Sequence, residues 1–260
     1  MAPHEADHHA DAIISPDVLR SYVHCRYKAY LKLSSQVGVQ CAYEAALAEL
    51  RAEAKQRAIG KLEAAGSPIV TSVELTHPTL CLGHSAIVDG ELTVHGISVR
   101  VDGLRKVAGR SQLGDFHYEP LLFHEGPGAR EPQRLLLSVI ALLISRLQGR
   151  VPDRGVIYQS CNAATSAVRM PGRIKSAESI LDDLNRMRCG EVQPKLVLNN
   201  HCGVCEFQRR CHWQAVHEDN LSPLRGVSEK EIRSLGRRGV LTLTQLAYTF
   251  RPRRKTKSPD

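Results

Sequence analysis

The first regular pattern along the chain begins at residue 15. Ser15-Pro16-Asp17 reads as a helix start, with serine as the cap, proline at the first helical position and an acid in the first turn. This helix is expected to run through VLRSYVHCRYKAYL, which places Cys25 about two turns in. Residues 41–64 predict an Ala/Glu/Arg-rich helix with apolar positions at helical spacing, and Glu49 and Glu53 lie one turn apart on one face of it. From residue 69 the spacing becomes that of strands. TSVELT is one candidate; LTVHGISVRVDGLRKV (92–107) alternates, and a buried strand within it ends at Asp102-Gly103. After a Gly/Ser-containing turn at 108–114, FHYEPLLFHE predicts the next strand. A loop at 126–130 leads into a strongly apolar helix over 131–148, ended by Gly149. RGVIYQ reads as a buried strand and 177–189 as an amphipathic helix. Near the end, Ser228 and Glu231 form a capping box, Gly236 and Gly239 bracket a turn, and 243–250 is another short helix.

Helices, a β-meander, a long helix, a strand and a further helix predict an α/β sandwich around one sheet. A length of 260 residues allows one large domain or two modest ones, and 42% apolar with 24% charged residues is ordinary for a globular protein with a core. The first residues, MAPHEADHHADAI, carry no apolar stretch of the kind that opens a secretory signal. The longest apolar run, 135–147, is too short to span a bilayer and is broken by Ser138, Ser145 and Arg146. The expectation is a cytoplasmic protein without membrane segments, in which eight cysteines favour metal over disulfides.

Charge is distributed unevenly. Ten Lys/Arg against three acids from residue 221 onward give that segment +7 of the +8 total. A near-neutral body with a basic end suggests a polyanion partner, most simply nucleic acid. The two short helices joined by an Arg-rich, Gly-containing turn resemble helix-hairpin-helix units, which hold phosphates without reading sequence. A helical cap packed on the main domain has the same pattern. The DNA-binding candidates are Arg225, Lys230, Arg233, Arg237 and Arg238, and the flanks, 1–13 and 251–260, read as disordered tails.

The strongest chemical signal is sulfur. HCGVCEFQRRC supplies Cys202, Cys205 and Cys211 at a spacing that lets several thiolates converge on one metal, zinc or an iron–sulfur cluster. Cys25 is a distant fourth, and His201 or His212 could complete a Cys3His zinc site instead. Cys41, Cys81, Cys161 and Cys189 lack such spacing and read as buried or neutral thiols. Asp102, beside a glycine at a strand end, has the placement of a Mg²⁺ ligand, although an Asp-Gly pair is otherwise an ordinary turn. Trp213, next to the thiols, is expected to pack over them.

The helix carrying Cys25, the strand ending in VDG and the C-x2-C-x5-C run after PKLVLNN together resemble the RecB-like nucleases of the PD-(D/E)XK superfamily. They are similar in particular to the CRISPR-associated exonucleases that hold a four-cysteine iron–sulfur cluster. PKLVLNNHCGVCEFQRRC, EDNLSPLRGVSEKEI and LTLTQLAYTFRPRR resemble RecB-like proteins in which this unit precedes an RNase H-like exonuclease domain, and the likeness covers residues 14–254. The resemblance implies a restriction-endonuclease-like mixed sheet flanked by helices over 14–219, and a basic helical hairpin over 220–250. It also implies a 4Fe-4S cluster on Cys25, Cys202, Cys205 and Cys211 (Zn²⁺ being the alternative) and DNA end-processing with Mg²⁺ or Mn²⁺. DNA is the implied substrate, with a helicase or a separate RNase H-like nuclease as possible partner. Asp102 matches the first metal-binding aspartate, and Glu53 is the candidate for the upstream acidic or histidine position. The acid-x-Lys motif falls on Leu122-Phe123-His124, so the second carboxylate is missing and His124 stands where a lysine would orient water. By strand alternation, Glu119 and Glu125 both point away from the face of Leu122. The glutamine expected on the next helix is Gln133 at its start, while alignment places Leu136 there. A second reading is therefore a catalytically silent nucleic-acid-binding module, and a third is a zinc-stapled interaction domain.

Overall fold

A computed structural model describes residues 14–39, 42–64, 68–94, 97–126, 128–159, 164–224 and 227–249. The chain divides into two compact units, one running to Pro194 and the second beginning at Lys195.

The first unit is a mixed α/β layer structure. Helices α1 (Pro16–His24), α2 (Arg26–Leu33) and α3 (Ala42–Ala64) precede β1 (Ile69–Thr71) and a short α4 (His77–Cys81). The meander β2 (Ala86–Val94), β3 (Ile97–Ser111) and β4 (Gly114–His124) follows, then α5 (Glu131–Gln148), β5 (Arg154–Gln159), β6 (Thr165–Arg169) and α6 (Ile174–Arg188). Spatial order in the six-stranded sheet copies chain order. Pairs β1–β2 and β4–β5 are parallel, the other three antiparallel. The parallel β4–β5 step crosses over through α5, as a parallel connection must.

Successive strand residues divide between the two faces. Ile87, Leu104 and Leu122 join the main core with α5, whose Leu137, Ile140, Ala141, Leu143 and Ile144 are fully buried. Val88 and Phe123, one position on, pack instead against Ala54 and Ala58 of α3. Two alanines four residues apart give α3 a smooth stripe, which lets its backbone come close to the sheet. The predicted stop of α5 is present: Gly149 sits at φ 62° as the left-handed cap. Among the described residues, no helix is long and apolar enough to cross a membrane.

Three expectations need correction here. The N-terminal helix is not continuous: Cys25, at φ −161° and ψ 115°, separates α1 from α2, and its Sγ accepts the Lys28 N–H as the cap of α2. TSVELT contributes only Thr71 to a regular strand, because Thr76 instead caps α4. Asp102-Gly103 lies inside β3 and not at its end, since the register continues on both sides of it, with Leu104 opposite Ile87 and Val101 opposite Gly90.

In the second unit a 3-10 turn at Cys202–Val204 leads into α7 (Gln208–His217), and α8 (Glu229–Arg237) and α9 (Leu243–Thr249) form the hairpin. The capping box at Ser228 and Glu231 is formed as predicted, and Gly239 supplies the left-handed turn at φ 81°. The cysteine-bearing segment and the hairpin fall in the same unit, which begins at Lys195. The reason is local: Asp219, after α7, accepts the Leu243 N–H on its carbonyl at 2.9 Å and the Thr244 N–H on its carboxylate at 3.0 Å. These bonds join the cysteine-bearing segment to the hairpin.

Candidate functional site

Gly103 pairs with Leu121, which brings Asp102 alongside Leu122 where the resemblance anticipates a carboxylate cluster. Asp102 is nearly buried, and both its oxygens are engaged. Oδ1 accepts Arg20 Nη2 from α1 at 2.9 Å, and Oδ2 accepts the Phe123 backbone N–H at 3.0 Å. The next residue of β4, His124, places Nδ1 3.4 Å from Glu125 Oε2. Glu125 in turn receives two bonds from Arg51 of α3, Nε at 3.0 Å and Nη2 at 3.2 Å. Burial alone would raise the Glu125 carboxyl, but the hydrogen bonds from His124 and Arg51, with the charge of Arg51, hold it well below the usual carboxylate range.

These groups surround a cavity of about 60 Å³ lined by Arg20, His24, Arg51, His124, Glu125 and Gln133 together with apolar neighbours. His24 is disfavoured as a cation by burial and then by the charge of Lys28. Gln133, on the first turn of α5, turns a buried Oε1 that has no hydrogen-bond partner.

The arrangement unites three of the four catalytic candidates, Asp102, His124 and Gln133, at one end of the sheet. It leaves out the fourth. Glu53 is exposed and pairs along α3 with Arg57 at 2.8 Å. Glu119 is occupied elsewhere, in a cross-strand pair with Arg105 at 2.7 Å. Glu125 departs from the alternation argument: β4 ends at His124, so Glu125 sits in the following bend and its carboxylate reaches the same cavity. Sequence reasoning missed Arg20, His24 and Arg51, which no motif marks.

Mg²⁺ or Mn²⁺ needs oxygen ligands free to face the ion. Here the Asp102 and Glu125 carboxylates are taken by guanidinium groups and the neighbouring position is Leu122, so this donor set does not fit a divalent cation. What it can do is lock α1 and α3 onto the C-terminal end of β4.

The sulfur residues are of a different kind. Cys202 lies in the 3-10 turn, where its backbone N–H donates to Asn199 O at 3.0 Å and its Sγ accepts the Asn199 N–H at 3.2 Å. The Cys205 N–H donates to Cys202 O at 3.3 Å, and Cys211 is buried on the inner side of α7. Free cysteines are soft sulfur donors, so the donor chemistry fits zinc or iron–sulfur. All six described cysteines, including Cys81 and Cys189, are thiols and not disulfides. Cys81 and Cys189 are exposed, contrary to the buried reading. Cys41 and Cys161 lie outside the described residues. Among the described residues, no three His, Cys, Asp or Glu side chains are gathered as a metal-holding group.

On the hairpin, Lys230, Arg233, Arg237 and Arg238 are all exposed, and Arg233 is 3.8 Å from Glu229 one turn back. Arg225 lies outside the described residues. Trp213 is not packed over the thiols: it is 62% exposed.

No family model matches this chain, and no curated protein matches it. Among solved structures, the crystal structure of SSO0001 is similar over 80% of this chain and 87% of its own, with 14% identity and a TM-score of 0.36.

Proposed function

We propose that this chain is a nucleic-acid-binding module on a RecB-like, restriction-endonuclease-like core whose phosphodiester-cleaving site has been lost. The observation that carries the reading is the fate of Asp102: a carboxylate in the position of a metal ligand is closed off by Arg20 and the Phe123 amide, beside an apolar Leu122. A mixed sheet flanked by helices accords with that core. The basic segment from 221 onward supports DNA as the partner, and Lys230, Arg233, Arg237 and Arg238 are the side chains for its phosphates. Cys25, Cys202, Cys205 and Cys211 are proposed to hold a structural 4Fe-4S cluster, or zinc. The reduced thiols support a cytoplasmic setting, where a helicase or an RNase H-like nuclease would supply the catalysis this site lacks.

The test is a cleavage and binding assay on single-stranded and duplex DNA with Mg²⁺ or Mn²⁺, using protein purified anaerobically. Binding that weakens steeply with salt, without cleavage, is the expected result. Cleavage that Asp102→Ala abolishes would instead restore the nuclease reading, which the placement of His124 and Gln133 on one cavity, with Asp102 bonded to the lining residues Arg20 and Phe123, favours. Iron and zinc analysis of the same preparation decides the metal.

A further inference from the structure

Helix α7 has two dissimilar sides. Cys211 and Ala215 are its buried residues. A residue two positions along is turned by about 200°, which puts Trp213 on the side opposite Cys211. This is why the indole is exposed instead of covering the thiols.

That outer side is an open surface carrying Gln208, Arg209, His212, Trp213, Val216 and His217. On it the Trp213 and His217 rings are stacked, with centroids 3.8 Å apart and planes 29° apart. His217 is fixed there by its own helix, since Nδ1 donates to the Trp213 carbonyl at 2.9 Å. Even with an imidazole on it, the indole remains 62% exposed. Water is a poor environment for so much aromatic surface, and a flat partner would displace it.

We infer that Trp213, backed by His217, is a stacking platform for an unpaired base of single-stranded nucleic acid, with Arg209 placed to meet the adjoining phosphate. The inference rests on the nucleic-acid reading proposed above and adds to it a substrate form and a site outside the basic hairpin. Stacking on an indole accepts any base, because every base presents a π face, whereas a paired base inside a duplex has none to offer. Arg209 and Arg210 add positive charge at the start of the same helix, which suits a polyanion better than an apolar peptide. The sequence conceals the site because tyrosines and phenylalanines form no ladder elsewhere, and one tryptophan beside three cysteines reads as part of their packing.

Trp213 is the only tryptophan in the chain, so its emission reports on this site alone. The experiment titrates the full-length protein with a short oligothymidylate and with a duplex of equal length, following both tryptophan emission and the anisotropy of labelled DNA. The expected result is quenching of Trp213 by the single strand and not by the duplex. In addition, Trp213→Ala should bind the single strand about 5- to 150-fold more weakly, and Trp213→Phe should recover most of that loss. Arg209→Gln should weaken binding equally for all sequences and flatten the salt dependence by about one ion. Single-strand binding with unchanged emission and an unaffected Trp213→Ala variant would overturn the platform and leave the nucleic-acid reading standing. Failure of the wild type to bind any nucleic acid would overturn both. Emission that shifts with protein concentration alone would assign the face to a second copy of the chain and also overturn the platform.

Discussion

Arg20 and Asp102 are 82 residues apart in sequence and share a hydrogen bond of 2.9 Å. Removing the guanidinium leaves a nearly buried carboxylate with only the Phe123 N–H, so Arg20→Ala is expected to destabilise the first unit by about 1–3 kcal/mol. A urea midpoint checks this, and the same substitution should leave DNA affinity unchanged. Glu125 makes a prediction in pH. Its carboxyl ordinarily titrates near 4.5 and is lowered in the folded protein, so folding favours the ionised form. That contribution is complete above about pH 4.5 and is lost as pH falls through the depressed folded value. Glu125→Gln should therefore be less stable than wild type at neutral pH and show a shallower decline in acid, measured as urea midpoints from neutral pH down into the range below about pH 4.5, where the linkage acts. At this scale Asp102, His124 and Gln133 were legible as candidates because each stands near a motif position. Arg20 and Arg51 were not, since what they do depends on a tertiary neighbour that no local spacing reveals.

Among elements, α5 was the most legible. Its apolar run, its length and its Gly149 stop all agree, and the structure reproduces residues 131–148. Gly149→Ala should show why the stop is glycine: at φ 62° a Cβ would be strained, and it would lie 2.3 Å from the Gln112 side chain. A loss of about 1–2 kcal/mol from the backbone conformation alone is expected, read from thermal unfolding. The capping box at Ser228 was equally plain, because its signal is wholly local. The break at Cys25 was not. Helix runs on both sides of it, and only the thiol accepting the Lys28 N–H marks a new start. Strand β6 was missed for a similar reason: TSAVR is five residues with only Val168 buried, too short and too polar to stand out.

For the whole molecule, the α/β class was legible from element order, whereas the division at Pro194 was not, because it depends on Asp219 bonding to the start of α9. Metal loss is the prediction that belongs here. Cys202→Ser or Cys205→Ser is expected to remove bound metal and lower thermal stability broadly, since ligand binding and folding are coupled in such sites. Unchanged melting with either variant would exclude a structural metal. A last consequence follows from a sheet whose spatial order repeats the order of synthesis. No strand has to be threaded between two that are already joined, so assembly can proceed by extension from the β2–β3–β4 meander. The entropic cost of closing the α5 excursion is met once, late, when β5 docks. Pulse-labelled hydrogen exchange during refolding should accordingly protect β3 and β4 amides before those of β5 and β6.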